Sequence, residues 1–130
     1  MAEQDHGRSD VDQFLLDQVD TVPHLEALLL LWNSRPKTWS VGGLAKELFV
    51  TPDAAEEVLD DLVRRRLIVG VSGACETYHC EPEPDRDQLL ASVDSTFRRE
   101  LIRVSRLIHS KPSAAVHEFA RAFRLKEEGD

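Results

Sequence analysis

The chain has 130 residues and a formal net charge of −8, with 42% hydrophobic and 31% charged residues. Those proportions exclude wholesale disorder and leave room for one ordinary domain and an appendage. The longest apolar run, Ala27 to Trp32, is far too short for a bilayer crossing, and "MAEQDHGRSD" lacks the basic and apolar stretches of a secretory signal, so a cytoplasmic protein is expected.

Charge is unevenly placed. Residues 1–95 carry −11, residues 96–126 carry +6, and the closing "EEGD" carries −3. An acidic body with a basic arm implies either an anionic partner for the arm or an arm folded onto its own body.

Residues 1–10 read as a loose polar leader. Val11, Phe14, Leu15 and Val19 follow helical spacing and predict a short opening helix. Thr21 offers an N-cap and Pro23 an early helical position, and "HLEALLLLW" predicts a helix apolar on most sides, hence central. "NSRPK" stops it, because Pro36 cannot continue a helix. Ser40 caps the next helix, with Leu44, Ala45 and Leu48 facing inward. Thr51 and Pro52 open another, whose inward set is Ala55, Val58, Leu59 and Leu62. "LIVGV", "SG" and "ACETYHC" predict two short strands around a tight turn. Pro82 and Pro84 place a linker at 82–88. Leu90, Val93, Phe97, Leu101, Val104 and Ile108 then step by three and four along a helix of about twenty residues, a stripe for dimerisation or packing. "SKPS" ends it, and Val116, Phe119, Ala120 and Phe123 predict a short amphipathic helix bearing Arg121, Arg124 and Lys126. Contact of that segment with an anionic membrane surface is disfavoured by its short length and few cations.

The order helix, helix, turn, helix, hairpin, together with "LAKEL.V.P..A...L..LV.R.LI", resembles the winged helix-turn-helix superfamily, as in small bacterial regulators of the MarR and PadR kind. The resemblance covers about residues 22–80. The expected fold is therefore mainly α with a small β-hairpin. It has a winged helix-turn-helix domain with its opening helix at 11–81, the linker, a helical arm at 89–126 and an acidic tail at 127–130. One position departs from the pattern: Arg66 stands where such domains usually place a glycine to turn left-handed. The resemblance also implies that the long C-terminal helix is a dimer arm, so a homodimer is expected.

The helix opening at Thr51 occupies the place of the DNA reader, yet it carries Asp53, Glu56, Glu57, Asp60 and Asp61 before its first arginine. At about 100° per residue, Asp53, Glu57 and Asp60 point away from the apolar set, with Glu56 and Asp61 on the flanks. Phosphate neutralisation dominates DNA affinity, and outward carboxylates oppose it. The face is either merely solvated or receives a basic partner, for which the basic arm of the same chain or of a second subunit is one candidate and an unidentified protein another. Arg98, Arg99, Arg103 and Arg106 on the arm are the candidate contacts for an anion or nucleic acid, or a solubilising rim.

No phosphate-binding loop, nucleophile motif or HExxH is present, so neither enzyme nor cofactor is expected. His24, His109 and His117 stand singly and read as ordinary surface or core residues. Cys75 and Cys80 are five apart, on opposite faces if on one strand, which predicts two free thiols and no metal. The first reading is thus a non-enzymatic regulatory winged-helix protein acting through protein–protein interaction or dimerisation. The alternative is a DNA-binding transcriptional regulator that takes phosphate contacts from the basic arm.

Overall fold

A computed structural model describes residues 2–110, with side chains from Arg8 onward. The amphipathic segment containing Phe119 and Phe123, and the acidic tail, lie outside the described residues. The elements in chain order are α1 (Ala2–Gln18), α2 (Val22–Asn33), α3 (Val41–Leu48), α4 (Pro52–Arg64), β1 (Val69–Val71), β2 (Thr77–His79), α5 (Pro84–Arg99) and α6 (Leu101–His109).

Helix α2 is central because six of its residues, His24, Leu25, Ala27, Leu28, Leu29 and Leu31, are buried. It packs on α3, α4, α5 and β2. Thr21 caps its start by accepting from the His24 amide, and Ser34 ends it by donating Oγ to the Leu30 carbonyl at 2.6 Å. On one side of α2 lie α3, α4 and the hairpin; on the other, α1, α5 and α6 pack on one another. Val11, Phe14, Leu15 and Val19 bury the inner face of α1 and its end. That helix starts at Ala2, so the leader expected to be loose is helical.

Strands β1 and β2 pair antiparallel in the register Val69↔His79, Gly70↔Tyr78 and Val71↔Thr77. They are shorter than "LIVGV" and "ACETYHC" imply, and residues 72–76 connect them where a two-residue turn was expected. Leu67 and Ile68 are both buried, so they belong to the core and not to an alternating strand. Trp39 adds a bridge to Tyr78, exchanging two backbone bonds of 2.8 Å, which ties the segment before α3 to the hairpin.

Two further expectations need correction. Helix α5 begins at Pro84, inside the expected linker, because proline suits the first helical position and Asp85 and Asp87 favour the positive end of the helix. Asp87 also accepts from Trp32 Nε1 at 3.0 Å and Arg35 Nη1 at 2.9 Å, anchoring that first turn to the end of α2 and holding the carboxyl below its ordinary range. The long arm helix is broken at Glu100 (φ −127, ψ 47). The break turns α6 onto α1 and α5, where Val104 and Ile108 are buried, and leaves Leu101 and Ile102 exposed.

Candidate nucleic-acid interface

The surface in question is built by α3, the turn after it, α4 and the hairpin. Ser40 Oγ accepts from the Gly43 amide at 3.0 Å and sets the start of α3. Its end is a left-handed Phe49 (φ 57), after which the Val50 amide reaches back to the Ala45 carbonyl at 3.0 Å. The Phe49 ring is 95% exposed, at the turn between the two helices. Thr51 Oγ1 accepts from Ala54 at 3.1 Å, Pro52 follows, and α4 lays Ala55, Val58, Leu59 and Leu62 against α3 and α2. After α4 the chain turns left-handed at Arg66 (φ 62), and the Leu67 amide returns to the Leu62 carbonyl at 2.9 Å. Arg66 therefore takes the glycine's conformation, held by Arg86 donating to its carbonyl at 2.8 Å.

Asp53, Glu56, Glu57 and Asp60 are exposed on α4, and none makes an ion pair or side-chain hydrogen bond with another described residue. Asp61 departs from that face. Its Oδ2 lies 2.9 Å from Nε2 of the buried His24, and Arg64 bonds its other oxygen. The acidic surface continues onto the hairpin. Burial, then the charges of Glu76, Asp60 and Glu56, push the Tyr78 hydroxyl up to about 12, so three carboxylates from two elements converge near one phenol. Glu76 and Phe49 carried no signal in the sequence, because their place depends on the turn and on strand register.

The four arm arginines are not equivalent. Arg98 pairs with Asp94 at 3.2 Å, and Arg103 pairs with Glu100 at 2.8 Å and Asp12 at 3.1 Å. Among the described residues Arg99 donates only to the Ser95 carbonyl and Arg106 has no side-chain partner; both are exposed. Of the arm's apolar stripe, Leu90, Val93, Val104 and Ile108 are buried within the chain, Phe97 is half-buried and Leu101 is exposed. Cys75 sits in the exposed 72–76 loop and Cys80 is buried beyond β2; both are free, and burial pushes the Cys80 thiol up.

A short helix, a turn and a capped second helix, followed by a two-stranded hairpin and backed by a three-helix layer, define a winged helix-turn-helix protein. The fold is shared with solved structures of bacterial proteins. The MepR–DNA complex of Staphylococcus aureus is similar at 15% identity, covering 99% of this chain and 96% of that one with a TM-score of 0.56. RV1404 of Mycobacterium tuberculosis is similar at 23% identity, over 95% and 80%, with a TM-score of 0.53. A MarR family protein of Bacillus stearothermophilus is similar at 17% identity, over 97% and 83%, also at 0.53. No protein-family model and no curated protein matches the sequence. Among the described residues no helix is long and apolar enough to cross a membrane.

Proposed function

We propose that the chain is a non-enzymatic winged-helix regulator that binds duplex DNA as a homodimer. The observation that carries this reading is the nearly end-to-end likeness to a regulator solved on DNA, 99% of this chain against 96% of MepR. That likeness reverses the order reached from sequence, which put protein interaction first. A fold-level argument of this kind transfers a role and not a target. Phosphate contacts fall to exposed cations: Lys46 on α3 and Arg64 and Arg66 at the end of α4 beside the acidic face, with Arg99 and Arg106 on the separate arm.

One observation favours a second reading. Four carboxylates on α4 that have no partner among the described residues, joined by Glu76, form a surface that suits a basic protein partner better than a phosphate backbone. The two readings separate on labelled duplex of mixed sequence at about 50 mM salt. Tight binding that falls steeply with added salt supports the DNA reading. No binding at that salt overturns it and leaves protein interaction. Light scattering at micromolar concentration tests the dimer, which a monomeric chain would exclude.

A further inference from the structure

We propose that Asp20, His24 and Asp61 form a binding site for one divalent transition-metal cation of zinc-like chemistry. The three residues come from three places, Asp20 from the turn after α1, His24 from the first turn of α2 and Asp61 from the last turns of α4. One donor atom from each lies within 4.8 Å of the others. His24 Nε2 and Asp61 Oδ2 are 2.9 Å apart. Two ligands of a tetrahedral zinc stand about 3.4 Å apart, given metal–ligand bonds of about 2.1 Å. The His24–Asp61 edge is about half an ångström shorter than that spacing, a gap that a small rotation of the Asp61 carboxylate closes, and Asp20, whose side chain is 41% exposed, can swing in as the third ligand.

The surroundings fit the same chemistry. His24 is buried, and its other ring nitrogen, Nδ1, lies 2.6 Å from Thr21 Oγ1. A ring nitrogen held by a neighbouring oxygen fixes the orientation of the imidazole, the usual outer support of a metal-bound histidine. One nitrogen and two carboxylate oxygens suit a borderline cation, with the remaining position left to water. Both carboxylates already attract cations: Arg65 holds Asp20 at 2.9 Å and Arg64 holds Asp61. Arg64 is 73% exposed and so is a counter-ion that a divalent cation can displace. Binding replaces the Nε2–Oδ2 contact with two metal bonds, the Nε2 proton moving to Nδ1 where Thr21 Oγ1 can accept it, and joins the start of α2 to the last turns of α4, fixing the helix that carries the acidic face.

The test titrates the full chain with zinc chloride and, separately, cobalt chloride. The expected result is one saturable site, a raised melting temperature and visible cobalt ligand-field absorption. Asp20→Asn, at an exposed position, is expected to keep the metal-free melting temperature and weaken zinc binding about tenfold. His24→Gln is expected to abolish the cobalt absorption. Arg65→Ala, which frees Asp20, is expected to tighten binding. Absence of a saturable site in the unaltered chain overturns the proposal. So does zinc binding that is unchanged in Asp20→Asn and His24→Gln, which would place the ion on residues such as His109 or Cys75.

Discussion

Arg103 holds Asp12 through a single nitrogen, Nη1, 3.1 Å from each carboxylate oxygen, while its Nε donates to Glu100 at 2.8 Å. Residues 91 positions apart are thereby joined at the break between α5 and α6. The other guanidine nitrogen, Nη2, is buried with no hydrogen-bond partner among the described residues, and that offsets part of the gain. Both side chains are 30% exposed, so solvent screening keeps the pair modest. Arg103→Ala is expected to lower stability by about 1 kcal/mol, read as a shift in the urea midpoint. An unchanged midpoint would mean that Val104 and Ile108 hold α6 in place by packing alone.

Tyr78 makes the fold sensitive to alkali. Its folded-state value of about 12 lies above the ordinary 10, through burial first and the acidic neighbours second. A neutral phenol favoured in the folded state contributes stability that is fully present below pH 10 and is lost as pH rises towards 12. The melting temperature should therefore fall across that window. Tyr78→Phe should flatten the fall, because no phenol remains to ionise. A fall of equal slope in both proteins would assign alkaline unfolding to other groups.

Phe49 and Arg66 sit in the left-handed region that glycine occupies without strain. Arg66→Gly keeps the carbonyl that Arg86 bonds and should stabilise the chain by about 0.5–1 kcal/mol, after the entropy that glycine adds to the unfolded state. Phe49→Gly should stabilise by a similar amount, since its ring buries almost nothing in the free chain. Thermal melts of the two variants decide this. If Phe49→Gly is more stable and binds its target less well, the exposed ring serves contact and not folding.

The helices around the winged domain are legible in the sequence because caps and apolar spacing agree at Thr21, Ser40 and Thr51, and all three hydroxyls cap as expected. The break at Glu100 is not legible. The stripe from Leu90 to Ile108 keeps helical spacing through it, and only packing on α1 tells that Val104 turns inward while Leu101 does not. The acidic character of α4 is legible, but Asp61 is not separable from its neighbours by spacing, because His24 stands 37 residues earlier in the chain. The arginines of the arm read as one group, and the structure divides them by partners that are themselves distant, such as Asp12.

If α4 enters the major groove, Glu56, Glu57 and Asp60 face phosphates and bases with no ion-pair partner among the described residues. Replacing them with Gln, Gln and Asn then removes repulsion without adding a positive charge, and duplex affinity at low salt should rise by roughly tenfold or more. The side chains are exposed and not paired with other described residues, so the melting temperature should hold or rise slightly as the like-charge pair Glu56–Asp60 is relieved. Binding by fluorescence anisotropy separates three geometries. A gain in affinity places α4 against DNA. An unchanged affinity, combined with loss when Arg99 and Arg106 are reversed, moves the contact to the arm. No duplex binding by either protein, with a basic peptide captured only by the unaltered chain, assigns the face to a protein partner.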